Sequence, residues 1–209
     1  MAHKTLSDIK KLVEKNAKGD LISANLDLDE LTFTVKLASI GKFLRYLRDG
    51  ADLEFKQLID LCGADYPARP ERFEVVYHLL SIRHNTRVRV KVSVAEGKSV
   101  PTVSSVYSAA NWYERETWDL YGIEFEGHPN LTRILTGYDF VGHPLRKDFP
   151  LTGFLEPRYD DEKQKVVYHP VNLPQEFRNF DYLSPWEGMT PERPQMLPGD
   201  EKATQDKNG

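Results

Sequence analysis

With a single cysteine, Cys62, the 209-residue chain has no means of forming an internal disulfide. The same scarcity excludes a cysteine-ligated iron–sulfur cluster, which takes about four thiolates, and it suits a reducing compartment such as cytoplasm or mitochondrial matrix. No stretch approaches the ~20 apolar residues of a membrane helix. The start, Met1-Ala2-His3-Lys4, lacks both the apolar run of a secretory signal and the Arg/Ser richness of a transit peptide. Basic residues are not in excess: 28 Lys and Arg face 32 Asp and Glu, a net charge of −4. That balance argues against nucleic acid as a partner, because nucleic-acid-binding domains carry a clear basic surplus.

Catalytic signatures are missing as well. No Gly-x-Gly occurs, so the dinucleotide-binding fingerprint is absent. Two segments come near a phosphate loop, Gly122-x4-Gly127-His128 and Gly137-x4-Gly142-His143, but neither supplies the Lys-Ser/Thr pair. Both run Gly-His-Pro instead, which favours tight turns: glycine accepts positive φ and proline extends the residue before it. Neither Gly-x-Ser-x-Gly nor His-Glu-x-x-His appears.

What is present reads as an α+β domain. Leu6, Ile9, Leu12 and Val13 recur at helical spacing over 5–18, with Ser7 or Asp8 as the expected cap and Gly19 as the stop. Residues 21–26 and 31–37 predict a hairpin, since Phe33, Val35 and Leu37 alternate with Thr32, Thr34 and Lys36. A helix over 39–48 places Ile40, Phe43, Leu44 and Leu47 on one face. Strands are expected over 55–65, 72–82 and 87–95, and then a helix over 103–121 with Val106, Ala109, Tyr113 and Leu120 as its stripe. The expected fold is an antiparallel (mixed) sheet of about five strands with helices packed on one face.

Beyond Gly122 the texture changes, and nine of the thirteen prolines lie from Pro144 onward. Large apolar residues persist there, among them Leu151, Phe154, Tyr168 and Phe177, which is not the composition of a disordered linker. Ordering such a segment costs more backbone entropy than its own apolar side chains return. A long extended C-terminal tail lying over neighbouring protein is therefore expected. The division is an α+β domain over 1–125, an extended proline-rich partner-wrapping segment over 126–199, and a disordered polar tail over 200–209.

The densest charged constellation is Glu114-Arg115-Glu116-Thr117-Trp118-Asp119. Glu116 and Asp119 stand three apart, hence on one helical face, where paired carboxylates suit acid–base work or a cation. A solvated helix face is the plainer alternative, and a protein-contact surface with interleaved Trp112, Tyr113 and Trp118 is a third. Zinc has candidate ligands in His128 and His143 with Asp139 or Asp148, at a spacing that matches no recognised site.

These residues also carry a resemblance. Glu114-Arg115-Glu116-x-x-Asp119-Leu120-Tyr121, followed by His128-Pro129-x-Leu131-x-Arg133-Ile134-Leu135, resembles the signature of the 30 kDa subunit family of respiratory complex I, the NADH-quinone oxidoreductase of bacteria. Gly142-His143-Pro144-Leu145-Arg146-Lys147-Asp148-Phe149-Pro150, Arg158-Tyr159-Asp160-Asp161, Glu176-Phe177-Arg178-x-Phe180-Asp181 and Ser184-Pro185-Trp186-Glu187 look like the same family. Position 132 departs from it: Thr132 stands where a basic residue or proline is usual, and Arg133 follows to carry a charge-assisted contact.

The resemblance implies a structural, peripheral-arm subunit of the proton-translocating NADH:quinone oxidoreductase, with no catalytic residues of its own. It implies no flavin, cluster or metal in this chain, while the complex uses FMN, iron–sulfur clusters, NADH and quinone. The implied partners are the large (49 kDa-type) quinone-site subunit and iron–sulfur subunits, with no nucleic acid and membrane contact only through the complex. The implied place is the inner membrane, peripheral, on the cytoplasmic side in a bacterium or the matrix side in a mitochondrion. Implied partner-contact residues are Glu114, Arg115, Glu116, Asp119, His128, Arg133, His143, Arg146, Lys147, Asp148, Phe149, Tyr159, Phe177, Phe180 and Trp186. Two other expectations stand beside it: the equivalent subunit of a membrane-bound hydrogenase or other complex I relative, and a stand-alone hydrolase using Glu116, Asp119 and His128.

Overall fold

The computed structural model describes residues 4–175. Phe177, Phe180, Trp186 and the polar terminus 200–209 lie outside the described residues.

Thr5 starts the first helix. Its hydroxyl accepts from the Asp8 N–H at 3.3 Å while the Asp8 carboxylate accepts from the Thr5 N–H at 3.2 Å. This reciprocal pair satisfies two N–H groups that α1 (Leu6–Asn16) leaves without helical partners. It moves the cap to Thr5, away from the expected Ser7 or Asp8, and Ile9 and Val13 one turn apart reach the core. The chain then forms β1 (Leu21–Asp27) and β2 (Glu30–Val35), joined through Leu28 and Asp29, both at positive φ. A 3-10 turn at Leu37–Ser39 leads into α2 (Ile40–Asp49), which buries Ile40, Phe43, Leu44 and Leu47 as its spacing predicts.

The meander follows as β3 (Gln57–Asp65), β4 (Phe73–Ser81) and β5 (Thr86–Val94). Sheet order is β1-β2-β5-β4-β3, antiparallel throughout except for the parallel joint between β2 and β5. That joint sets Leu31 beside Val88 and Phe33 beside Val90, while β4 sets Leu79 and Tyr77 against the same two valines. One continuous apolar face results, so a one-residue slip of any strand would turn its whole apolar set to water. All three helices contribute to the core on that face. The opposite face carries Thr32, Thr34, Arg89, Lys91 and His78.

After the short β6 (Val100–Pro101), two turns over 103–109 precede α3 (Ala110–Tyr121). The expected helix from 103 is shorter than its sequence pattern, and the expected stripe is out of phase. Ala109 is exposed, Tyr113 and Leu120 are half-buried, and the buried positions are Ala110, Glu114, Thr117 and Asp119. Val106 and Tyr107 are buried within the turns, where the Tyr107 hydroxyl donates to the Phe55 carbonyl at 2.7 Å. Gly63 in β3 admits the helix: a Cβ there would stand 2.8 Å from the Tyr121 ring and 3.2 Å from the Thr117 methyl.

The short β7 (Phe125–Glu126) pairs parallel with β6, and the C-terminal segment follows it. It wraps first over its own domain, along α3 to Phe149. Beyond that, β8 (Leu155–Asp160) and β9 (Lys165–Pro170) form an antiparallel hairpin that the sequence pattern did not reveal. Pro157 and Pro170 mask it, yet proline is tolerated in a two-stranded ribbon whose outer edges meet no ladder.

Candidate functional site

The charged constellation of α3 turns inward. The Asp119 side chain is wholly buried and receives five donors. Its Oδ2 accepts from three consecutive backbone N–H groups, Ile134 (3.0 Å), Leu135 (2.8 Å) and Thr136 (2.9 Å). Its Oδ1 accepts from Arg133 Nη1 at 2.7 Å and from the Thr136 hydroxyl. Burial opposes ionisation, but the hydroxyl and the three N–H groups outweigh it and hold the carboxyl well below the usual carboxylate range. Arg133 is held in turn by the Gly142 carbonyl at 3.2 Å and by the faces of Trp118 and Phe140, each 5.7 Å away. Arg115 clamps the same loop, donating to the Thr132 and Arg133 carbonyls at 3.1 Å. Thr132 therefore contributes only its backbone, and Arg133 carries the charge.

The C-terminus of α3 is closed by the following segment. A helix leaves its last four carbonyls without helical partners, and here each finds one. The Gly122 N–H donates to the Trp118 carbonyl (2.7 Å), and the Leu145 N–H to that of Leu120 (3.0 Å). His143 Nδ1 meets the Asp119 carbonyl at 2.9 Å, and Arg146 Nε donates to that of Tyr121 at 2.6 Å. Gly122, at φ 72°, allows this approach: a Cβ there would stand 2.6 Å from the His143 ring and 2.7 Å from the Arg146 guanidinium. Gly127 and Gly142 also take positive φ, as expected for the two Gly-His-Pro turns.

A second polar lock fastens the segment to the sheet. Arg72 holds Asp65 in a two-pronged pair (2.7 and 2.9 Å), and it also reaches Asp148 (2.7 Å) and Glu96 (3.3 Å). Arg146 meets Glu96 at 2.8 Å, and the Lys147 N–H donates to Asp65 at 2.8 Å. Arg72 lowers the Asp65 pKa against the opposing effect of burial, and Asp65 and then Asp148 raise that of Arg72.

Glu114 is wholly buried too, but differently served. It accepts from the Val103 N–H (2.7 Å) and the Thr102 hydroxyl (2.5 Å), with His128 Nε2 3.9 Å away. Burial pushes its carboxyl up to about 7 against the pull of those two donors.

Among the described residues no three His, Cys, Asp or Glu side chains gather as metal ligands. His128 and His143 each lie against a backbone carbonyl, and Asp148 is held by Arg72. The hydrolase expectation also fails on geometry, because the Asp119 oxygens are filled and the His128 ring has no exposed surface.

The arrangement is one of locks that tie an extended segment to an α+β domain through a Glu-Arg-Glu-x-x-Asp helix. The model of the family described as respiratory-chain NADH dehydrogenase, 30 kDa subunit, matches residues 33–155, which carry the Asp119 site, the closure of α3 and the Arg72 lock. The chain belongs to this family.

The 30 kDa family assignment agrees with curated relatives. The NADH-quinone oxidoreductase C subunit of Paramagnetospirillum magneticum is 56% identical over 199 residues, covering 95% of this chain and 98% of that protein. Its counterpart of the same name in Methylobacterium sp. (strain 4-46) is 59% identical over 185 residues, covering 88% of this chain and 84% of that protein. A chain in the structure of the membrane-bound sulfane sulfur reductase, an archaeal respiratory membrane complex, superposes with a TM-score of 0.62. It is 27% identical, with 77% of this chain and 98% of that chain covered.

Of the contact residues expected from the family resemblance, Glu114 and Asp119 have no surface to offer, and Arg133, His143, Arg146 and Asp148 face this chain's own locks. Arg115 and Glu116 are half-buried on α3, and Lys147 is exposed. Phe149 packs between Phe140 and Phe154, and Tyr159 is exposed on β8. Asp65, Arg72, Glu96, Thr102 and Thr136 complete the locks and were missed. The sequence signal for them was faint, since each is a single polar residue outside the motif that it serves.

Proposed function

We propose that the chain is a structural, cofactor-free peripheral-arm subunit of the proton-translocating NADH:quinone oxidoreductase, holding and insulating the subunits that carry electrons. One observation carries the reading. From Tyr138 onward the C-terminal segment presents Tyr138, Val141, Leu151, Phe154, Tyr159 and Tyr168 to solvent, several of them around an apolar groove of about 270 Å³. A lone soluble protein rarely leaves a large apolar patch uncovered, whereas a component of an assembly buries such side chains against a neighbour. The hairpin alone is too small to be independently stable in water.

The partners under this reading are the large quinone-site subunit and the iron–sulfur subunits. FMN, clusters, NADH and quinone belong to those neighbours. None of the described helices is long and apolar enough to cross a membrane, which suits attachment through partners on the cytoplasmic side of a bacterial inner membrane. Trp112 with Arg115 stacked on it, Lys147 and Tyr159 remain available as contacts, with Phe177, Phe180 and Trp186 further along.

Deleting residues 150–190, which leaves every lock in place, tests the reading. The expected result is loss of peripheral-arm assembly while the sheet domain still folds. A fully assembled, quinone-reducing complex with that deletion would refute it. A second reading, membership in a complex I relative, is favoured by the sulfane sulfur reductase likeness. Co-purifying subunits decide: a flavoprotein NADH-oxidising partner supports the first, and its absence with hydrogenase-like partners supports the second.

A further inference from the structure

We propose that the proton on the Glu114 carboxyl works as a latch for the Gly127–Asn130 turn, with His128 as its moving part. The two side chains are wholly buried together, at the point where the chain leaves the α+β domain. His128 Nδ1 accepts the Asn130 N–H at 3.1 Å, so the ring's proton sits on Nε2. That one N–H has two acceptors within reach: the Asn111 carbonyl at 3.1 Å and Glu114 Oε2 at 3.9 Å.

Which acceptor holds it depends on charge. A neutral carboxyl competes poorly with a backbone carbonyl, and the N–H stays on Asn111. An ionised carboxylate in a dry site makes a bond roughly twice as strong as a neutral one. A shift of about 1 Å then brings the pair to hydrogen-bond distance. Since the ring is tied through Nδ1 to Asn130, that shift moves the turn.

The surroundings let Glu114 change charge where Asp119, five residues along the same helix, does not. Asp119 has a guanidinium and three N–H groups. Glu114 has the Thr102 hydroxyl and Val103 N–H from the residues just after β6, His128 from the turn, and Tyr77 facing it from β4. No lysine or arginine makes an ion pair with it among the described residues. The buried Tyr77 hydroxyl makes no hydrogen bond to it. Burial accordingly brings the carboxyl's proton exchange close to neutral pH. The turn leads directly into residues 134–136 over Asp119, so the latch sets where the C-terminal segment begins.

NMR on the full chain tests this. The Glu114 side-chain carbon, the His128 Nε2–H and the Asn130 amide are followed from about pH 5.5 to 8.5, the window around the shifted carboxyl. The three signals should move with one midpoint near 7, and in Glu114→Gln the His128 and Asn130 responses at that midpoint should vanish. Should Glu114→Gln fail to fold, Thr102→Val supplies the check. Losing a donor to the ionised form should raise proton affinity about three- to tenfold. A Glu114 ionised across the whole range overturns the proposal, as do His128 and Asn130 signals that ignore its titration, or an unmoved midpoint in Thr102→Val.

Discussion

Replacing Asp119 by Asn removes one charge and little volume, and the geometry sets its cost. The Asn oxygen still accepts the Ile134, Leu135 and Thr136 N–H groups in place of Oδ2. The new amide nitrogen then faces Arg133 Nη1 and the Thr136 hydroxyl, donors against donors. Arg133, with a side chain only 14% exposed, loses its countercharge. An exposed pair would lose at most about 1 kcal/mol, but breaking a buried one costs about 3–5 kcal/mol because the remaining charge stays buried and unpaired. The buried figure applies, since Asp119 is 0% exposed. For a chain of this size that corresponds to a fall in melting temperature of roughly 6–20 °C. Urea and thermal denaturation of the full chain measure it, with protease accessibility of residues 131–149 reporting where the structure opens. The pH dependence has a definite sign. The folded carboxyl is held below its ordinary value, so its stabilisation is full above about pH 4 and fades as the pH falls further toward the folded value. The gap between wild type and Asp119→Asn should be flat from about pH 5 to 8 and close in acid. A melting temperature within about 2 °C of wild type at neutral pH would refute the lock.

Glu114 carries the opposite sign: its folded pKa is raised from 4.5 to about 7, so stability is lost as the pH rises through that window. The loss amounts to about 3 kcal/mol, and a Glu114→Gln chain should lack that slope in denaturation midpoints against pH. Gly122→Ala should cost about 2–3 kcal/mol, from the left-handed backbone and from displacing His143 and Arg146, with faster amide exchange at Leu145 as the local sign. Arg72→Lys keeps the charge but loses the two-pronged grip on buried Asp65. A loss of about 1–3 kcal/mol by urea titration is expected, with little dependence on added salt, since the pair is shielded from solvent.

The strands of the five-stranded sheet were legible because each has one face on the core: Val88, Val90, Val92 and Val94 point inward as their spacing requires. α2 was legible for the same reason at helical period. The phase of α3 was not. Its buried face carries Glu114, Thr117 and Asp119, while Trp112 is largely exposed. A pattern based on hydrophobicity points such a helix the wrong way, because only the donors at 102–103 and 133–136 make that face fit to bury. The motif residues were visible as a charged constellation, but their inward direction was not.

The order of elements through β5, the faces of those strands, the Gly-His-Pro turns and the family signature were fixed by local chemistry, since each depends on residues within a turn or a strand of one another. The parallel joint of β2 to β5, the Asp65–Arg72–Asp148 lock and the capping of α3 by residues 143–146 were decided only in three dimensions. Each joins groups that are distant along the chain. What selects them is the cost of leaving a buried carboxylate or carbonyl without a partner, which exists only once the chain has closed around it.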